Sequence, residues 1–188
     1  TGYTFQKCQV TDGNAGRVEC QSQEGAGDDL LVLLIVDGVS SPVDSSYTVG
    51  YASPTITQLI PPVGPASGGY DVVILGDNFG PLGSAAVTVG GTNAVLSSPH
   101  NHTHIVVTIP ESSTGTQANL IATVLAQAST STPSLFYYYK ALDFSPHFGW
   151  WGGYTTITVT GEGFVDLAGV NCFAIICCEI IFSFASAV

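Results

Sequence analysis

The sequence predicts an all-β protein built from two-sheet sandwiches in tandem, one complete module flanked by two partial ones. Composition is the first observation: 22 Gly, 10 Pro, no Met, with Thr, Val, Ile and Tyr gathered into short apolar runs. The second is spacing. Strand-like runs recur about every 10 residues, with turn residues between them and no helical periodicity. The third is an internal repeat. Pro54–Gly80 (PTITQLIPPVGPASGGYDVVILGDNFG) returns in altered form at Ala141–Phe164, with Gly68-Gly69 answering to Gly152-Gly153, Gly76 to Gly161 and Phe79 to Phe164. Two copies of one strand–turn–strand unit about 85 residues apart mark tandem modules.

Residues 1–52 read as the back half of a module. YTFQKCQV and GRVECQS are short strands joined by the turn TDGNAG, followed by the apolar strand LLVLLIVDG, a Ser/Pro loop and SSYTVGY. At a spacing of 88 residues, Gly27 falls on Gly115, Val36 on Val124 and Tyr51 on Tyr139. Residues 53–140 read as the complete module of seven strands: TITQLI, YDVVILG, AAVTV, NAVLS, HIVVTI, ANLIATVLA and SLFYYY. Gly, Pro, Asn and Ser occupy the turns between them. Pro110 ends one of these strands and Pro133 precedes another, positions that cost no ladder hydrogen bond. Residues 141–188 are the front part of a further module. There YTTITVT alternates, with Ile157 and Val159 on one face and Thr156, Thr158 and Thr160 on the other. Beyond Cys172 the pattern dissolves into the apolar tail FAIICCEIIFSFASAV, which the pattern does not place.

Charge excludes whole classes of function. Three Lys and Arg stand against fourteen Asp and Glu, a formal net charge of −11, which repels phosphate backbones and argues against nucleic-acid binding. An anionic membrane surface finds no basic patch either. The segment TGYTFQKC lacks a basic and then an apolar region, so no leader is read there. With no initiator Met, the expectation is a processed N-terminus or a fragment. The 16 residues of the tail, broken by Glu179, fall short of the ~20 that span a bilayer, so no membrane insertion is expected within this segment.

The residues Pro62, Gly64-Pro65, Ser67-Gly68-Gly69, Gly76 and Phe79, with their downstream copy, carry a family resemblance. The pattern they make resembles the IPT/TIG family of immunoglobulin-like domains, and the likeness covers nearly the whole chain. The third copy departs from it where Trp150-Trp151 replaces the Pro-x-Ser portion. The resemblance implies immunoglobulin-like sandwiches and a binding or spacer role in cell-surface proteins, or a partner-binding module beside a DNA-binding domain. The acidic charge and the cysteines disfavour the second setting.

In that family a pair placed like Cys8 and Cys20 resembles the disulfide that pins neighbouring strands; the complete module has Ala94 and Thr108 at about the same places. Closing an 11-residue loop this way would contribute roughly 2–3 kcal/mol. The alternative of two reduced, buried thiols stays open. Cys172 sits where the first cysteine of the next module belongs, and Cys177-Cys178 have no identified partners. Zinc is disfavoured, since no CxxC pair or spaced His partner is present.

Asn101-His102-Thr103 is the one N-x-S/T sequon and lies in the polar loop SPHNHTH, so Asn101 is a candidate glycan site. Ser and Thr beside Pro at 41–42, 53–54, 98–99 and 132–134 are candidates for O-linked glycans on composition alone. His100, His102 and His104 alternate in the same loop; solvated histidines are favoured over a metal site. Asp28, Asp29, Asp37, Asp71 and Asp77 lie near turns, but no calcium-loop pattern accompanies them, and no cofactor is expected. Trp150, Trp151 and Tyr154, with Tyr137–Tyr139, form an aromatic concentration. Packing between successive modules is favoured there over a sugar-stacking platform. No nucleophile elbow, phosphate loop or metalloprotease signature occurs, so no enzyme is expected.

Comparison of the copies also gives candidate contact surfaces. Val72 and Ile74 match the inward Ile157 and Val159, so Val73 and Leu75 lie where the other copy has Thr158 and Thr160, facing outward. Leu30–Val36 is apolar on both faces, whereas a sandwich strand needs one buried face. The expected partners are other copies of the chain or neighbouring modules. Two expectations follow for the ends: head-to-tail completion of half-modules into a filament, or a fragment of a longer multi-module chain. The function expected is an extracellular, non-enzymatic structural or adhesive array, with a ligand-binding ectodomain recognising glycan or protein as the alternative.

Overall fold

In the computed structural model the described residues are 2–14, 16–112, 117–130 and 135–163, and every regular element among them is a strand. In chain order these are β1 (Gln6–Asp12), β2 (Arg17–Gln21), β3 (Leu30–Leu31), β4 (Ile35–Val36), β5 (Val39–Ser40), β6 (Thr48–Val49), β7 (Thr55–Ile60) and β8 (Val63–Pro65). They continue with β9 (Asp71–Asp77), β10 (Ala85–Val89), β11 (Thr92–Leu96), β12 (His104–Thr108), β13 (Gln117–Val124), β14 (Gln127–Ala128), β15 (Leu135–Ser145) and β16 (Thr158–Glu162). The long sheet runs β16-β15-β13-β10-β11-β12-β9-β7, antiparallel throughout this path, with β14 added on β13 and β8 parallel to β15.

This sheet curls on itself so that β7, β9 and β12 face β10, β13 and β15 across one core. Period-two alternation supplies that core: Val72, Ile74, Ile105, Val107, Leu120 and Ala122 are all fully buried. Phe79 and Phe136 plug it, with Tyr138 edge-on to Phe136 at 5.1 Å. Tyr138 donates to the Pro110 carbonyl (3.0 Å) and Tyr70 to the Pro65 carbonyl (3.2 Å), so both buried phenols are satisfied.

The repeated glycine of the motif has a steric reason. A Cβ on Gly76 would strike the Thr55 carbonyl oxygen of β7 and come within 2.6 Å of the Phe79 ring. Only glycine lets β9 lie that close to its neighbour while Phe79 folds beneath it.

The second copy reproduces this ladder residue for residue. β7 and β9 pair Thr55↔Asp77, Ile56↔Gly76, Gln58↔Leu75, Leu59↔Ile74 and Ile60↔Val73, with a register shift between Ile56 and Gln58. At a spacing of 85, β15 and β16 pair Lys140↔Glu162, Ala141↔Gly161, Asp143↔Thr160, Phe144↔Val159 and Ser145↔Thr158, with the shift between Ala141 and Asp143. Asn78 and its counterpart Gly163 both follow in the left-handed region, at φ 62° and 72°. β15 runs without a break from its pairing with β13 and β8 into its pairing with β16.

The hairpin of β4 and β5 also repeats the local geometry of β13 and β14, at a spacing of 88. Ile35↔Ser40 and Val36↔Val39 correspond to Thr123↔Ala128 and Val124↔Gln127. Ser41 N donates to the Leu34 carbonyl at 2.7 Å and Leu34 N to Ser41 Oγ at 3.2 Å. Ser129 and Ala122 make the same two bonds at 2.8 and 3.2 Å. The turn residues Asp37 and Gly38 have positive φ, as do Leu125 and Ala126.

Some predicted bounds differ. LLVLLIVDG is not one strand: β3 pairs with β6 and β4 with β5, and Val32–Leu34 lie between these two-residue ladders. Pairing in YTTITVT begins only at Thr158, although the alternation holds, Ile157 and Val159 being half-buried and the three threonines exposed. Phe164, Cys172, Cys177, Cys178 and the apolar tail lie outside the described residues.

Candidate functional site

The described residues place the candidate side chains at four locations. The first is the junction between residues 2–52 and the complete module. Gly25, Ala26 and Gly27 are buried there, although they belong to a loop. Gln127 holds the loop with both ends of its amide: Gly27 N donates to its Oε1 (3.2 Å), and its Nε2 donates to the Tyr51 carbonyl (2.9 Å). Tyr51 N donates to the Gly27 carbonyl (2.8 Å), Tyr51 Oη to the Gln23 carbonyl (2.8 Å), and Ala26 N to Tyr3 Oη (3.0 Å). A Cβ on Gly25 would meet the Tyr51 ring at 2.5 Å, so this contact has no room to spare. His102 Nε2 lies 2.6 Å from Glu24 Oε1, within ion-pair distance though not aligned along a ring N–H.

A cavity of about 110 Å³ opens here, lined by Glu24, Tyr51, Asn78, His102 and Gln127 among others. That is well below the ~300–1,000 Å³ of small-molecule pockets. Burial pushes Tyr51 above its ordinary pKa, with a smaller contribution from Tyr3. What the junction does is tie the Gly25–Gly27 loop and Tyr51 to the turn that carries Gln127. Sequence reasoning missed it, because Gln127 and Gly27 meet across 100 residues and neither carries a local signature.

The second location is the sheet surface. Val73 and Leu75 lie opposite Val72 and Ile74 and are half-buried. Val73 sits between Ile60 and Val106 on the neighbouring strands, making an apolar row, and Leu75 lies between Gln58 and His104. In residues 30–49 the exposure is far greater. Val32, Leu34 and Val36 are 38%, 53% and 62% exposed, while their counterparts Leu120, Ala122 and Val124 are at most 1% exposed.

The third is the loop from Ser97 to Thr103. His100 departs from the expectation of solvated histidines. It is buried, with Nε2 bonded to the Pro81 carbonyl (3.0 Å) and Nδ1 without a partner. His104 is exposed and its Nδ1 lies 2.7 Å from Thr103 Oγ1. The three rings therefore diverge, and among the described residues no group of His, Cys, Asp or Glu is arranged to hold a metal. Asn101 is exposed at the tip of this loop.

The fourth is the aromatic loop. Trp150 and Trp151 contact each other (5.4 Å, 50° between planes). Both are exposed, and Tyr154 is fully so. The loop is held by Trp150 N to Thr155 Oγ1 (2.8 Å) and Gly153 N to the Trp150 carbonyl (2.9 Å). Tyr138, by contrast, belongs to the core of the complete module.

Cys8 and Cys20 lie side by side on β1 and β2, bonded, with Cα atoms 4.0 Å apart. No helix among the described residues is long and apolar enough to cross a membrane.

The complete module now has its bounds, its glycine motif and its core, and the IPT/TIG domain family matches the chain over residues 54–138. Residues 54–138 form an IPT/TIG domain. This domain is an immunoglobulin-like β-sandwich. Solved structures similar to the chain include the plexin A4 extracellular region, domains 1 to 8 (20% identity, TM-score 0.44, 73% of this chain and 14% of that one). A plexin A4 structure of domains 1 to 10 is similar at 19% identity and TM-score 0.43 over 87% of this chain and 15% of that one. A putative phosphatase from Bacteroides thetaiotaomicron is similar at 20% and 0.37 over 48% and 19%. The chain thus spans less than a fifth of each. No curated protein matches it.

Proposed function

We propose that this chain is part of a non-enzymatic, extracellular array of IPT/TIG modules serving as a structural or adhesive surface component. In this reading residues 1–52 and 141–188 are parts of further modules on either side of 53–140. The observation that carries it is the open face of residues 30–49. Its hairpin has the geometry of residues 122–129, yet Val32 and Leu34 lack the cover that the facing strands β7, β9 and β12 give to Leu120 and Ala122, and Val36 is 62% exposed where Val124 is buried. A face of that pattern is matched by the front strands of an IPT/TIG module. The finer form of the proposal is that such strands are exchanged between copies, head to tail, which makes an open, filament-forming contact. The Cys8–Cys20 pair and the acidic, Lys-poor composition support an extracellular setting.

Sedimentation and electron microscopy of the 188-residue chain test the finer form. Concentration-dependent linear assemblies, lost on Leu34→Asp, are expected; a monomer at every concentration would contradict exchange between copies. A second reading, recognition of a glycan or protein ligand, rests on the exposed Trp150-Trp151 pair. Binding on a glycan array that disappears in Trp151→Ala would favour it over the first.

A further inference from the structure

We infer that Asn101 carries an N-linked glycan, an inference that rests on the extracellular reading above. The sequon is exposed at the tip of the loop between β11 and β12, and that loop is pinned rather than free. His100, the residue before it, is buried and tied to the Pro81 carbonyl. Asn101 N donates back to the His104 carbonyl at 3.0 Å.

The side-chain amide divides its two ends between two tasks. Oδ1 accepts from Thr103 N (2.9 Å), Thr103 Oγ1 (3.2 Å) and His104 N (2.9 Å). Two of those donors are backbone N–H groups, which fixes the oxygen on that side of the amide. Nδ2 therefore points the other way, and it makes no hydrogen bond among the described residues. The threonine of the sequon is thus not incidental to the turn, since its hydroxyl is one of the three groups that orient the amide.

Attachment needs only the free end. Nδ2 attacks C1 of an oligosaccharide carried on a lipid diphosphate. The Nδ2–C1 bond forms, the C1–O bond to the diphosphate breaks with its electron pair leaving on the diphosphate, and Nδ2 gives up one proton. The product is still an amide with Oδ1 intact, so the turn that Asn101 caps survives modification. The sugar then stands beside the junction, because the next residue, His102, contacts Glu24.

The experiment is expression of the 188-residue chain behind a secretory leader in a host that makes N-glycans, followed by intact mass and thiol labelling. The expected result is one core oligosaccharide, removed by an amidase that leaves Asp at position 101. It should be lost completely in Asn101→Gln and in Thr103→Ala, and retained in Thr103→Ser, which keeps the hydroxyl. A chain with the bare polypeptide mass and an oxidised Cys8–Cys20 pair would overturn the glycan and leave the extracellular reading standing. A glycosylated chain in which Cys8 and Cys20 label as free thiols would support the glycan and count against that reading.

Discussion

Residues 34–41 and 122–129 fold alike and end in opposite surroundings. Their ladder pairs, their two Ser-centred hydrogen bonds and their left-handed turn residues correspond one for one. The strand leading into the second hairpin is at most 1% exposed at Leu120, Ala122 and Val124, while Val32, Leu34 and Val36 stand 38–62% exposed. Local chemistry, a tight turn between two short strands, is therefore enough to set the hairpin. Burial is set by the distant strands that cover one copy and not the other. Each Val or Leu moved from water into such a core is worth about 1.5–3 kcal/mol, so the open face stores a substantial drive to be covered.

Paired substitutions should expose this difference most strongly. Leu120→Ala is expected to cost about 2–5 kcal/mol in denaturant unfolding, the range for a fully buried Leu. Leu34→Ala in the same chain, diluted to where it is monomeric, should stay within about 0.5 kcal/mol, as for an exposed site. Equal losses would mean that residues 30–49 are buried in solution.

The junction comes next in size. Gln127→Ala removes the partner of Gly27 N and of the Tyr51 carbonyl, and leaving a buried polar group unmet costs about 1–3 kcal/mol. The loss should fall on the junction, read as faster proteolysis and hydrogen exchange around Gly25–Tyr51, with the exchange of β9 and β12 unchanged.

The turns give a smaller, opposite effect. Asp37-Gly38 suits a two-residue hairpin with positive φ at both positions, whereas Leu125-Ala126 holds two ordinary side chains there, at φ 44° and 74°. Replacing them together, Leu125→Asp with Ala126→Gly, should stabilise the complete module by about 1 kcal/mol, since the left-handed region costs an L-residue roughly 1–2 kcal/mol. A rise in the denaturation midpoint with unchanged slope is the expected reading.

Alkaline pH gives the narrowest effect. Burial pushes the Tyr70 phenol, and likewise Tyr138, above the ordinary tyrosine range. The folded state thus holds these protons after the unfolded chain has lost them. Their contribution is complete below about pH 10 and fades as pH rises beyond it. Thermal unfolding of the complete module should soften above that pH, and Tyr70→Phe should flatten the dependence.

Much of the fold was legible in the sequence because its signals are local. Alternation gave the inward Val72 and Ile74, and the spacing of Gly76 and Gly161 gave the repeat whose ladders match. The features that were not legible depend on distant partners. Nothing near Gln127 announces Gly27, and His100 looks like its neighbours until the Pro81 carbonyl is placed beside it. Aromatic density drew notice to Trp150 and Trp151, but their exposure depends on a local turn that Trp150 N and Thr155 Oγ1 close, which no composition signal marks. The break in Leu30–Val36 has the same origin: among the described residues its two ends pair with different strands, β6 and β5, and no ladder pair falls on Val32 or Leu33.

The central claim is that the face of Val32, Leu34 and Val36 is built to be covered. Hydrogen exchange of Leu30–Val36 in the protein isolated from its source tests it directly. The account predicts protection approaching that of Leu120–Val124, while exchange as fast as in an open strand would contradict it.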